Sequence, residues 1–240
     1  MKIQGGFTNY GEPIGIIMTD SVLPRIPGDV GNASTFRFPV RYKVVKGALF
    51  SRVRNGDPSL IKPFVEAAQE LEKEGVKAIA TGCGFLAAYH QELIQSVHIP
   101  VYSSSLLQVH LAHMIIRPEQ KVGIITASKE SLSEKQFRGV GIQDIPMVIV
   151  GMEESQEFCY TIYDHHPEMD VEQVAEDVVS ISRHLVTEHP EVGAIVLECT
   201  NLPPYAKRIQ AAVHLPIFDV TTLINYAYLS TIRKTFVGIV

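Results

Sequence analysis

The chain contains a long internal repeat. Val76-Lys-Ala-Ile-Ala-Thr-Gly-Cys83-Gly-Phe-Leu, continued to His98-Ile-Pro100, is matched by Val192-Gly-Ala-Ile-Val-Leu-Glu-Cys199-Thr-Asn-Leu, continued to His214-Leu-Pro216. The offset is 116 residues throughout, and it pairs Ala78 with Ala194, Ile79 with Ile195, Leu86 with Leu202, Tyr89 with Tyr205 and Leu107 with Leu223 without a gap. Such a repeat restricts the chain to two similar units. It also places one cysteine at the same point of each.

The units read as α/β. Pro13–Thr19, Val40–Val45, Val76–Thr81 and Pro100–Tyr102 are short apolar, β-branched runs, and Lys121–Thr126, Pro146–Val150, Val192–Leu197 and Pro216–Phe218 repeat the pattern. Helical spacing separates them: Asp57-Pro58 caps a helix running to Gly75, and a helix of about a dozen residues follows Cys83. Ser103-Ser-Ser105 caps one reaching Ile116, and Ser131 to Glu134 fits a capping box. Asp170 opens a long amphipathic helix to about His189, and further helices span Asn201–Val213 and the stretch to about Arg233. Alternating helices and continuously apolar strands predict mainly parallel sheets flanked by helices, in two pseudo-symmetric lobes. The expected lobes are residues 1–116, carrying Cys83, and 117–240, carrying Cys199, with the segment from about 220 packing back on the first. Between Asp20 and Phe38, prolines and glycines interrupt any period, which predicts a flap.

Net charge −5 and a pI near 6.0 give no reason to expect nucleic acid or an anionic membrane as partner. The chain has no 18-residue apolar run, and its start lacks the apolar core of a signal peptide, so the expected compartment is the cytoplasm. Three cysteines do not suggest a disulfide framework, and Cys159 has no counterpart in the repeat. His110 and His113 share a helical face without a third ligand, so no metal is expected. Asp164-His-His166 reads as solvated loop. Arg25, Arg37 and Arg41 flank the flap, where one could clamp a carboxylate.

Ligands of parallel α/β sheets gather beyond the carboxyl ends of the strands, where both cysteines stand. A helix start offers free N–H groups and a favourable dipole, which lowers a thiol's pKa from about 8.5 and cradles a carboxylate. One thiolate and one opposed thiol suffice for two-base proton transfer at a carbon acid.

The paired strand–Cys–helix units, the duplicated halves and Glu198-Cys-Thr-Asn201 resemble the cofactor-independent aspartate/glutamate/hydantoin racemase superfamily. The resemblance implies an active site in the cleft between two lobes, Cys83 and Cys199 as opposed acid and base, and no pyridoxal phosphate or metal. It implies Thr200 and Asn201 as carboxylate ligands, with Gly84 and Phe85 beside the first thiol. The loops after the first strand of each lobe (Thr19, Asp20, Ser21; Thr126, Ser128) would line the cleft. A homodimer is the implied assembly. Cys83-Gly-Phe85 departs from the Cys-Asn-Thr common in the amino-acid racemases, and Cys199-Thr-Asn201 from the Cys-Thr-His of glutamate racemases. The expected function is racemisation or epimerisation of a small carboxylate- or imide-bearing carbon acid, such as aspartate, glutamate or a hydantoin. A maleate-type cis–trans isomerase with a covalent cysteine, and a non-catalytic small-molecule binding module, stay open as alternatives.

Overall fold

A computed structural model describes residues 2–239. Among the described residues, eight strands form two sheets of four. In the first, β1 (Ile14–Thr19), β2 (Val40–Val45), β3 (Ala78–Thr81) and β4 (Val101–Tyr102) lie in the order β2-β1-β3-β4, all parallel. In the second, β5 (Lys121–Thr126), β6 (Met147–Gly151), β7 (Val192–Leu197) and β8 (Ile217–Phe218) lie in the order β6-β5-β7-β8, again all parallel. The matching order is the structural form of the sequence repeat. Strands β1, β3 and β7 are buried at every residue, as expected of parallel strands covered on both faces.

The α-helices that join them are α1 (Phe50–Arg54), α2 (Ile61–Lys73), α3 (His90–Ser96), α4 (Val109–Ile115), α5 (Glu134–Val140), the short α6 (Gln156–Phe158), α7 (Val171–Glu188), α8 (Ala206–Val213) and α9 (Val220–Thr231). Helix α2 places Phe64, Ala67, Ala68 and Leu71 inward at helical spacing. Helix α7 starts at Asp170, whose carboxylate accepts from the N–H groups of Glu172 and Gln173. Helix α9, capped by Asp219, buries Val220, Ile224 and Ala227 against Ile14, Ile16, Ala78 and Ala80 of the first sheet.

Two expectations about the cysteine turns change. The helix after Cys83 begins as a 3₁₀ segment, Gly84–Tyr89, and turns α-helical only at His90. After Cys199 a turn intervenes, and a 3₁₀ segment over Pro203–Tyr205 leads into α8. The paired prolines Pro203 and Pro204 carry no N–H groups for an earlier start.

The stretch from Asp20 to Phe38 is well tied rather than loose. Asp29 Oδ1 accepts from the Arg25 guanidinium (3.0 Å) and from Gly31 N–H (2.7 Å), Thr35 Oγ1 donates to Asp29 O (2.7 Å), and Asn32 Nδ2 donates to Arg25 O (2.8 Å). Val30 is wholly buried. Gly28 has φ +101°, and a β-carbon there would stand 2.8 Å from Pro204 Cα, so the loop presses its backbone against the start of the 3₁₀ segment before α8.

The lobes are joined close to the cysteines. Thr200 Oγ1 donates to Gly82 O (2.8 Å), and Ser105 Oγ donates to Leu197 O (2.7 Å). Gly139 of α5 meets the Ala87 carbonyl so closely that a β-carbon would overlap it. Among the described residues, no helix is long and apolar enough to cross a membrane.

Candidate active site

Cys83 lies two residues beyond β3 and Cys199 two residues beyond β7, each at the carboxyl edge of its sheet. The connection between lobes turns these edges towards each other, and both thiols line one small cavity of about 20 Å³. That volume is near the lower limit for holding a water molecule, so its walls must move apart before anything larger can enter. Cys83 is 7% and Cys199 6% exposed, and both are free thiols.

The β1 loop contributes Thr19, Ser21, Leu23 and Arg25 to the wall. The first cysteine turn adds Gly82, Gly84 and Phe85, the second adds Glu198, Thr200 and Asn201, and Phe50, Ala127 and Ile162 complete it. Of the residues expected at the site, Cys83, Cys199, Thr19, Ser21, Gly84, Phe85, Thr200 and Asn201 therefore come together. Asp20 does not. Its carboxylate turns back to accept from Gly47 N–H (2.9 Å) and Lys46 Nζ (3.3 Å), which lowers its pKa. Ser128 bonds Ser131 (3.0 Å), and Thr126 reaches the cavity only through Glu198.

Thr200 and Asn201, expected to grip a carboxylate, already donate within the protein. Thr200 bonds Gly82 O, and Asn201 Nδ2 donates to Asp29 Oδ2 (2.7 Å), while Asn201 Oδ1 accepts from Cys199 Sγ (3.6 Å). Asp29 is 2% exposed and paired with Arg25 (3.0 Å). Arg25 also donates to Ser21 Oγ (2.8 Å). A chain of contacts thus runs from Cys199 through Asn201 and Asp29 to Arg25, joining the second lobe to the flap of the first. A guanidinium has five N–H donors in a fixed fork, so Arg25 keeps donors in reserve for a carboxylate.

The rest of the lining is apolar. Phe50 and Phe85 pack edge to face at 5.9 Å between ring centres, with Leu23 and Ile162 beside them. Behind them the Tyr163 ring lies 5.5 Å from Phe50, and the Arg54 guanidinium sits 4.7 Å over Tyr163. Phe85 is marked in the sequence by its place two residues after Cys83. Phe50, Leu23 and Ile162 come from three separate elements, and no local pattern in the chain marks them.

The electrostatics reverse the sequence expectation for the thiols. Cys83 does receive the backbone N–H groups of Phe85 and Leu86, as a helix-start residue should, but burial pushes its pKa up to about 12 and the nearby Glu198 adds to the rise. Cys199 is raised well above its usual value, first by burial, then by Glu198, with Cys83 and Asp29 adding to it. Desolvation of a buried anion outweighs a few oriented N–H groups. Arg25 favours the Cys83 thiolate, and the Asn201 N–H favours that of Cys199, but burial outweighs both.

Glu198 is itself fully buried. Its Oε2 accepts from Thr126 Oγ1 (2.7 Å) and the carboxyl is bonded by Ala127 N–H, yet burial prevails and lifts the pKa to about 7. Its Oε1 has no hydrogen-bond partner among the described residues. That oxygen rests against Gly84, where a β-carbon would lie 2.2 Å away. Glycine is required there.

Comparison with known proteins places this geometry. The chain is 31% identical over 214 residues to a dimethylsulfoniopropionate lyase of Durusdinium sp. clade D, covering 86% of this chain and 70% of that protein. It is 34% identical to dimethylsulfoniopropionate lyase 3 of Emiliania huxleyi (strain CCMP1516), covering 88% of this chain and 58% of the relative. The chain thus spans little more than half the length of some of the curated relatives it matches. Its backbone matches that of glutamate racemase from Francisella tularensis subsp. tularensis SCHU S4 with a TM-score of 0.55 at 18% identity, over 94% of this chain and 85% of that one, a likeness of fold alone.

The names of the lyases overturn the expected racemase or epimerase activity, and with it the cis–trans isomerase and the non-catalytic binding module. The physical reason is that the expectation rests on paired thiols at strand ends, an arrangement suited to proton transfer beside a carboxylate. The fate of the resulting carbanion depends on the group on the next carbon, which no cysteine spacing encodes. The two sheets of identical order, the cysteine at each carboxyl edge and a match of residues 54–224 to the Asp/Glu/hydantoin racemase model agree: the chain belongs to the Asp/Glu/hydantoin racemase family.

Proposed function

We propose that this protein is a lyase that eliminates dimethyl sulfide from dimethylsulfoniopropionate, or from a close sulfonium carboxylate, leaving acrylate. The observation that carries the reading is the pairing of its curated relatives' reaction with a cavity lined both by polar side chains and by aromatic rings. Arg25, backed by Asp29 and Ser21, suits the carboxylate end. The rings of Phe50 and Phe85, with Leu23 and Ile162, suit a methylated cation, which aromatic faces attract without requiring a hydrogen bond.

A base takes the proton from the carbon next to the carboxylate. The C–H electrons become the new C=C bond, and the C–S electrons depart with the sulfur as neutral dimethyl sulfide. Arg25 stabilises the negative charge that builds on the carboxylate during proton removal. Loss of the positive charge on sulfur ends its attraction to the rings, so the product is held less firmly than the substrate. Cys83 is taken as the base, because two backbone N–H groups and Arg25 favour its thiolate, whereas Cys199 receives one N–H, from Asn201, and donates its S–H to the Asn201 side chain.

The test is direct. Purified protein with dimethylsulfoniopropionate should release dimethyl sulfide, followed in the headspace by gas chromatography, with one acrylate per sulfide by NMR. Folded protein that releases neither would overturn the reading. Arg25→Ala should raise KM more than it lowers kcat.

A further inference from the structure

Glu198 stands between the two cysteine turns, and no step of the elimination yet uses it. It is adjacent to Cys199 in the chain, and its unpartnered Oε1 lies against Gly84, the residue after Cys83. A fully buried carboxyl oxygen without a partner is costly, since buried polar groups are normally hydrogen-bonded. The fold is built around it: Thr126 fixes the other oxygen, and Gly84 gives up its side chain to make room. Such an oxygen is placed to accept a proton.

From this geometry, and resting on the lyase reading, we infer that Glu198 is the proton acceptor that ionises the Cys83 thiol and stores its proton during turnover. The step balances. The S–H proton moves to Glu198 Oε1 through the small cavity that both residues line, whose volume is near that of one water molecule, leaving a thiolate and a neutral carboxylic acid. The thiolate then takes the substrate proton, the C–S electrons leave with dimethyl sulfide, and the thiol is restored. Glu198 gives its proton to solvent when the cavity opens to release product.

The surroundings agree with this role. Both thiols are raised by burial and by the charge of Glu198, so neither ionises by itself at neutral pH. Moving the proton to Glu198 supplies the thiolate and removes that opposing charge in one event. A carboxyl lifted to about 7 is matched to accept protons near neutrality. The titratable and charged groups that share its cavity are Cys83 on the first cysteine turn, Cys199 beside it in the chain, and Arg25 on the β1 loop, which is paired with Asp29. None of the groups that shift Glu198 is a cation.

The experiment has two arms. In the first, dimethyl sulfide release is measured against pH for the native protein and for Glu198→Gln, which preserves shape and the Thr126 contact. The native kcat/KM should rise through an inflection near pH 7, and the variant should lose that inflection along with about 10²-fold in kcat at little cost in KM. In the second, alkylation of Cys83 by iodoacetamide is followed by mass spectrometry without substrate. The native rate should level off above pH 7, and Glu198→Gln should be at least about 10-fold slower at pH 7.5 with no plateau. If Glu198 were only a nearby charge, removing it would speed alkylation, so a faster or unchanged rate overturns the inference. Thr126→Val provides a second variant should Glu198→Gln fail to fold. Losing that donor should move the plateau to higher pH, and an unmoved plateau counts against the proposal. Native protein that releases no dimethyl sulfide would refute the lyase reading, and the alkylation arm would still decide the part played by Glu198.

Discussion

The two cysteine turns occupy equivalent places in equivalent lobes, and they are chemically unlike. Strand, thiol and following helix repeat from one to the other, but Gly82-Cys83-Gly84-Phe85 faces Glu198-Cys199-Thr200-Asn201. The first turn is stripped of polar side chains. It presents bare backbone N–H groups to its own thiol and leaves room for a neighbour. The second is crowded with polar groups, of which Thr200 and Asn201 tie the lobes together and Glu198 fills the room the first turn leaves. Duplication set two thiols face to face. The differences around them set the thiols apart: Cys83 receives two backbone N–H groups, Cys199 receives one and donates to Asn201, and a single buried carboxyl lies between the turns.

That difference predicts unequal losses when the thiols are removed one at a time. Cys83→Ala should cut kcat for elimination by at least about 10³-fold, within the range that losing a positioned base produces. Cys199→Ala should cost distinctly less, because an elimination needs one base and no proton delivery to the opposite face. Steady-state kinetics on both variants decides the matter. Equal losses, or a larger loss at Cys199, would break the asymmetry between the turns.

Glu198 makes the comparison visible in stability. Its folded pKa of about 7 lies above the ordinary carboxyl value of 4.5, so the folded state binds its proton more tightly than the unfolded state does. The stabilisation from that proton is complete below about pH 4.5 and disappears as pH rises through 7. The shift corresponds to roughly 3 kcal/mol. Denaturant titrations at pH 5 and pH 8 should therefore show the native chain losing more stability across that interval than Glu198→Gln does. Parallel pH dependence in the two proteins would refute the burial argument.

Much of the architecture is legible in the amino-acid sequence, because it depends on local pattern. The apolar runs, the helix spacing and the repeat each lie within a few tens of residues, and they locate the strands and both thiols. The site divides differently. Cys83 and Cys199 stand out because the repeat sets them apart. Phe50, Ile162 and Ala127 join the cavity from elements distant in sequence, with nothing local to mark them. Asp20 is expected to point inward from the end of β1, and instead it holds the Lys46–Gly47 turn. Thiol acidity escapes sequence reading for a physical reason: a helix start is legible in sequence, but the depth of burial that outweighs it emerges only from packing. Glu198 lies in plain view beside Cys199, and only its unpartnered oxygen against Gly84 gives it a role. The racemase expectation fails because a pair of cysteines at strand ends points to proton transfer and says nothing of a leaving group.

Gly84 tests the complementarity of the turns more directly. A β-carbon there would collide with both Glu198 Oε1 and the Glu198 carbonyl oxygen, and the carbonyl cannot swing aside as a side chain can. Gly84→Ala should lower stability by roughly 2 kcal/mol, the usual scale for overpacking a tight core. The equivalent change in the second turn, Thr200→Ala, removes a side chain where there is space for one and should cost only its bond to Gly82, about 1 kcal/mol. Thermal denaturation of the two variants compares the turns on one scale.

The smallest expected effect concerns the clasp between flap and second lobe. Asn201→Ala removes the donor to Asp29 Oδ2 and the acceptor for the Cys199 thiol. Asp29 keeps its bonds to Arg25 and Gly31, so the loop stays folded and the loss of stability should be near 1 kcal/mol. The functional consequence should be of a different kind. A looser clasp admits substrate more readily and positions Arg25 less well, so KM should rise by a few fold while the pH profile set by Glu198 is unchanged. A shifted pH profile in Asn201→Ala would mean that the polar second turn also tunes the proton acceptor, and the contrast between the turns would have to be redrawn around Cys199.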